Sequence, residues 1–232
     1  MSIRHVIFDW AGTLTPWRQV DALANWVAAA RTLDPRTSLP VGEMLFAAEK
    51  QLMLRSRDEH ISATVEQVCE LAGVQPTDAA LDAYRKAWES YTYTDAEGAD
   101  VLSALRALDI SVGVLSNTLW PSAWHREIFE RDGVLDLINA AVYSSEMPWA
   151  KPHPKAFMEI MTALGTTDPA SCCVVGDRLF EDVYGAQNVG MKAILVPHSR
   201  IPTEEIGANL GRPDAVVHRL SDLVGVIELW NA

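Results

Sequence analysis

His5-Val6-Ile7-Phe8-Asp9-Trp10-Ala11-Gly12-Thr13-Leu14-Thr15 runs from an apolar stretch into an aspartate and then a glycine turn closed by two threonines. The apolar stretch is too short for a helix and is bounded by a turn signal. It therefore reads as a buried strand that delivers one carboxylate, Asp9, to its C-terminal edge. Buried strands that end in Asp are common, so the meaning of Asp9 depends on what the rest of the chain brings beside it.

Downstream of Glu97 the chain alternates. Helical patterns over 98–108, after Pro121, over 154–164 and over 180–189 are each followed by a short apolar run, at 111–115, 139–143, 172–175 and 193–196. A further strand at 215–217 and a helix starting near Ser221 complete the series, and 197–213 reads as a surface loop. Near-continuous apolar strands alternating with helices imply an α/β fold, a parallel sheet covered on both faces. Between 16 and 95 the pattern is different. Val20, Leu23, Trp26 and Val27, then Met44, Leu45, Ala48 and Leu52, then Val65, Val68 and Cys69 recur at helical spacing with no strand between them. Breaks fall at Asp34-Pro35, around 56–62 and at 73–77, and 76–88 begins the last helix of this helical module.

The chain has 232 residues, 49% hydrophobic and 22% charged, enough for one sizeable core and a smaller module. Its formal net charge is −12 and no basic stripe appears. That argues against nucleic acid and against an anionic membrane surface as partners, and leaves a small-molecule substrate. An anionic substrate then needs a local cation. Cys69, Cys172 and Cys173 are odd in number and lack metal-type spacing, which suggests reduced structural thiols in a cytoplasmic setting. No signal-peptide pattern opens the sequence and no apolar run approaches membrane-spanning length. Monomer and homodimer stay equally open.

In sheets of this kind ligands gather at the C-terminal ends of the strands. The first strand brings Asp9 there, and the second brings Ser116 and Asn117, a hydroxyl and an amide able to hold an anionic oxygen. Lys151 sits in Trp149-Ala150-Lys151-Pro152-His153-Pro154, a proline-stiffened loop where a fixed cation can neutralise a carboxylate and an oxyanion together. Val174-Val175-Gly176-Asp177 ends a strand in an acid, and Asp182 follows five residues on, near a helix start. Converging acids repel one another, and a hard cation such as Mg²⁺ relieves that repulsion.

Four segments in this order, Phe-Asp-x-x-Gly-Thr-Leu, Leu-Ser-Asn, Lys-Pro-x-Pro and Val-Gly-Asp with a downstream Asp, resemble the haloacid dehalogenase-like hydrolases over essentially the whole chain. The resemblance implies a Rossmann-like doubly wound core from residues 1–15 and 96–232, and an all-helical cap from residues 16–95 inserted after the first motif. It implies Asp9 as the nucleophile, and Mg²⁺ held by Asp9, the Ala11 carbonyl and Asp177, with Asp182 completing or orienting the shell. Thr13, Ser116, Asn117 and Lys151 would bind the transferring group and spread its charge.

One position departs from the pattern. Family phosphatases carry an aspartate two residues after the nucleophile, which protonates the leaving oxygen and later activates water; here that residue is Ala11. The general acid-base contribution, typically about 10² to 10⁴-fold, is missing from its usual place. Three readings follow. The leading one is a phosphatase whose acid comes from the cap, with His60 and Glu49 as candidates. Carbon-centred hydrolysis is the second. Asp-Trp-Ala-Gly-Thr is similar to the first motif of phosphonoacetaldehyde hydrolase, which uses a cap lysine, for which the cap offers Lys50 and Lys86; a dehalogenase would use a cap arginine such as Arg18, Arg31 or Arg36. The third is a catalytically weak binding protein, disfavoured by the otherwise complete set. Trp10 must lie near the site, whereas Trp17, Trp26, Trp88 and Tyr91 read mainly as cap packing.

Overall fold

The computed structural model describes residues 2–197 and 210–232. Most of the expected surface loop at 197–213 lies outside the described residues. Six strands, β1 (His5–Phe8), β2 (Ser111–Ser116), β3 (Ala140–Tyr143), β4 (Cys172–Gly176), β5 (Lys192–Leu195) and β6 (Ala215–Val216), form one sheet in the order β3-β2-β1-β4-β5-β6. Every pairing is parallel. The α/β expectation therefore holds. The chain builds outward from β1 through β2 to β3, then returns to its other side for β4, which makes the β1/β4 boundary the topological switch point.

Both faces of β1 are buried. Val6 and Phe8 join Val112, Val114, Cys173 and Val175 in one core cluster, while Ile7 joins Leu115, Cys172 and Val174 in another. The second face is covered by α7 (Pro154–Ala163) through Ala156, Phe157 and Ile160. The first is covered by α5 (Gly98–Ala107), α6 (Ser122–Arg131) and α9 (Asp222–Asn231), through Leu102, Leu105, Phe129, Leu223 and Ile227. Cys172 and Cys173 point to opposite faces of one strand, and all three cysteines are free and buried.

Between β1 and β2 lie four α-helices, α1 (Ala22–Leu33), α2 (Ser38–Glu59), α3 (Val65–Leu71) and α4 (Asp78–Trp88). Asp21 caps α1, Thr77 caps α4, and Thr64 with Gln67 forms a capping box on α3. The break expected around 56–62 falls late, because α2 runs on to Glu59 and stops at His60 in the left-handed conformation. The Asp95 N–H donates to the Leu14 carbonyl at 2.7 Å, so the helical excursion leaves and rejoins the sheet side by side.

The helix expected over 180–189 begins differently. Leu179–Tyr184 is a π-helical turn and only Gly185–Asn188 (α8) is α-helical. The N–H groups of Asp182 and Val183 both reach the Arg178 carbonyl, at 3.2 Å each, which widens the turn.

Candidate active site

Parallel register sets the site. Phe8 pairs with Val114 on one side and Val175 on the other, so the residues that follow, Asp9, Ser116 and Asp177, emerge together at one sheet edge. Gly12 then takes φ 93°, a left-handed turn that suits glycine and folds the chain back so that Thr15 N–H reaches the Trp10 carbonyl at 2.8 Å.

Lys151 holds the centre. Its Nζ donates to Asp9 Oδ1 at 2.7 Å and to Asp182 Oδ1 at 2.6 Å, and the residue is 2% exposed. Asp182 accepts the Arg178 N–H through its other oxygen at 3.0 Å. This fold-back requires glycine at 176, because a Cβ there would lie 2.2 Å from the Asp182 carboxyl carbon. Asp177 is buried beside them, with Arg178 Nε 3.8 Å away. Ligand oxygens of Asp9, Asp177 and Asp182 all lie within 4.8 Å of one another.

Burial pushes the Asp9 carboxyl up to about 6, with the Lys151 charge opposing that shift and the Asp182 charge adding to it. For Lys151, burial acts to lower the pKa, and the charges of Asp182 and Asp9 more than reverse it, so the ammonium stays protonated. One buried cation thus serves two of three buried carboxylates. The donor set, three hard oxygens' worth of carboxylate converging in a dry pocket, fits a hard divalent cation.

Around this nest the expected residues divide. Ser116 Oγ and Thr13 Oγ1 are buried and make no hydrogen bond among the described residues, which leaves both hydroxyls to donate elsewhere. Asn117 is engaged through both amide atoms. Its Oδ1 accepts the Lys151 N–H at 2.7 Å and its Nδ2 donates to the Lys151 carbonyl at 2.9 Å, so its amide fixes the lysine's backbone. Ala11 is exposed between buried Trp10 and Gly12, so position 11 opens outward with no proton donor of its own.

Arg18, Arg31 and Arg36 are exposed, as are Lys50 and Lys86. None of them is buried toward the acids. Glu49 accepts a hydrogen bond from Trp26 Nε1, and burial raises its carboxyl to about 7. His60 lies beside the loop that carries Lys151, its carbonyl accepting the Ala150 N–H at 3.0 Å. Trp26 stacks on Tyr84 at 4.0 Å, and Trp88 packs edge-on to Tyr91 at 6.2 Å, both as packing groups.

Sequence reasoning missed what lies beneath Trp10. Its ring meets Trp120 at 5.6 Å and His125 at 4.4 Å, and His125 stacks on Tyr143 at 4.3 Å. His125 is fully buried, with its Nε2 3.2 Å from Thr118 Oγ1; Ser144 Oγ in turn donates to the Thr118 carbonyl at 3.0 Å. These residues brace the turn that bears Ser116 and Asn117. The only sequence signal was a tryptophan directly following that turn.

The family model described as haloacid dehalogenase-like hydrolase matches residues 3–190. Over 229 residues the chain is 24% identical to a glyceraldehyde 3-phosphate phosphatase of Methanopyrus kandleri, with 97% of each chain covered. Among solved structures, a HAD phosphatase from Thermococcus onnurineus superposes with a TM-score of 0.67 at 20% identity, covering 97% of this chain and 98% of that one. The HAD-hydrolase YfnB of Bacillus subtilis, a structure bound to magnesium, gives 0.62 at 18% identity over 98% and 99%. L-2-haloacid dehalogenases share the fold as well. At these identities the structural likeness speaks for the fold alone.

Proposed function

We propose that this chain, which belongs to the haloacid dehalogenase-like hydrolases, is a phosphatase that cleaves small-molecule phosphate esters in the cytoplasm through an aspartyl intermediate on Asp9. The observation that carries the reading is the nest of Asp9, Asp177 and Asp182 within 4.8 Å around Lys151. A dehalogenase attacking carbon has no need of a metal, whereas three converging acids suit a hard cation. The relatives named as phosphatases support the same direction.

In this reading Asp9, the Ala11 carbonyl and Asp177 would hold Mg²⁺, with Asp182 completing or orienting that shell, while Asp182 keeps Lys151 in place. Bound there, the ion supplies charge neutralisation for the acids and the phosphoryl group. An Asp9 carboxylate oxygen attacks phosphorus, the bond to the leaving oxygen breaks, and water later releases phosphate and restores the carboxylate. Lys151 and the hydroxyls of Thr13 and Ser116 take the equatorial oxygens, spreading their charge in a dry site. Asn117 acts through the backbone of Lys151. Residues 16–95 form the cap, closing over the cleft to exclude water.

Asp9→Asn tests the nucleophile. Turnover of every phosphate ester accepted by the wild type should fall to below about 10⁻³ of its value, with the circular dichroism spectrum unchanged. Chelation of divalent ions should abolish wild-type turnover, and added Mg²⁺ should restore it. Undiminished activity in the variant, or activity on haloacids that survives chelation, would overturn the proposal.

A further inference from the structure

A leaving group at this site finds no proton at Ala11, whereas Asp9, Lys151, Asp177 and Asp182 are all in place. Two titratable groups of the helical region have been candidates to supply it. Glu49 is tied to Trp26 inside the helices, and the packed path from there to Trp10 runs through Tyr84, whose phenol burial holds well above its ordinary pKa, and through Trp120, whose indole N–H does not exchange as an acid.

His60 is placed otherwise. It caps the C-terminal end of α2 with φ 56° and ψ 36°, a left-handed conformation common where helices end. Tertiary bonds hold it there. Its carbonyl accepts the Ala150 N–H at 3.0 Å, Ile61 bridges Trp149, and the Ser62 N–H reaches the Pro148 carbonyl at 3.2 Å. Its ring lies 5.6 Å from Phe180, in the π-helical turn between Asp177 and Asp182. His60 is partly exposed, its backbone is bonded to the loop that leads to Lys151, and its ring meets the turn that carries Asp182.

Resting on the phosphatase reading above, we propose that His60 is the general acid and base of this site, standing in for the carboxyl that residue 11 lacks. As Asp9 bonds to phosphorus, the electron pair of the breaking P–O bond stays on the leaving oxygen, which takes a proton from the His60 imidazolium and departs as an alcohol. Neutral His60 then removes a proton from the water that attacks the aspartyl phosphate. The Asp9–P bond breaks with its electrons returning to the carboxylate, inorganic phosphate leaves, and His60 is again an imidazolium.

Leaving-group dependence tests this directly. His60→Asn keeps a residue tolerant of left-handed φ and removes the proton donor. With short-chain alkyl phosphates, kcat/KM should fall by about 10² or more; with p-nitrophenyl phosphate, whose leaving group needs little protonation, the loss should be about tenfold or less. His60→Gly, permissive in backbone but lacking any side chain, should show the same split. Equal losses on both esters, or no loss on the alkyl esters, would overturn the assignment. A wild type inactive on both ester classes would instead overturn the phosphatase reading, and His60 with it; that result is visible without any His60 variant.

Discussion

Alanine at position 11 has no proton to give, and its exposure leaves room for a side chain that does. Ala11→Asp should therefore raise kcat/KM for alkyl phosphates by about tenfold or more while changing p-nitrophenyl phosphate turnover much less. Equal effects on the two esters would show that residue 11 does not occupy the acid's place. The same scale shows what the sequence could reveal of the site. Asp9, Ser116 and Asp177 were legible because each ends an apolar strand, and parallel register forces such residues to one edge. Lys151 was legible as a cation in a stiff loop, though its bond to Asp182 required the fold-back over Gly176. Asn117 was not. Whether an amide faces a ligand or a neighbouring backbone depends on how two loops 34 residues apart meet, and here both its atoms go to Lys151.

Among the elements, strands and helices were found where apolar period decides them, and shifts occurred where side-chain bonds decide instead. The π-helical opening of Leu179–Tyr184 follows from carrying the Asp182 carboxylate back to the strand end, which an apolar period does not encode. Within the helical region, α1 and α2 meet around a half-buried acid, Glu49, bonded to Trp26. Burial raises this carboxyl from 4.5 to about 7, so between those values the folded chain holds a proton that the unfolded chain has released. Stability contributed by this group is thus present below pH 4.5 and lost as pH rises toward 7. Glu49→Gln keeps an acceptor for Trp26 and removes the titration. At about 1.4 kcal/mol per pH unit, the variant should be more stable than wild type by about 1 to 3 kcal/mol at pH 8 and nearly equal at pH 4.5. Urea unfolding at the two pH values checks this; the same difference at both would assign the effect to packing rather than to charge.

For the molecule as a whole, the proposed cap function turns on how the helices are fastened to the sheet. The covalent links lie side by side at Leu14 and Asp95. Away from them, backbone bonds tie Val65 to Leu119, Ser62 to Pro148 and His60 to Ala150, and Trp120 receives Tyr84 at 6.2 Å and Trp88 at 5.5 Å. Arg85 on α4 adds an ion pair to Glu127 on α6, exposed enough to contribute little. Trp120 is therefore an apolar fastening between the two parts, and it also supports Trp10 beside the nucleophile. Trp120→Ala should cost about 3 to 5 kcal/mol if its packing is lost in full. Where that loss appears is the informative measurement. If residues 16–95 open as a unit, hydrogen exchange at the amides of Ser62, Val65 and Ala150 should accelerate far more than at the β1 and β4 amides, because local opening leaves the sheet closed. Acceleration spread evenly into Val174 and Val175 would mean that helices and sheet unfold together, and would remove cap opening from the proposed mechanism.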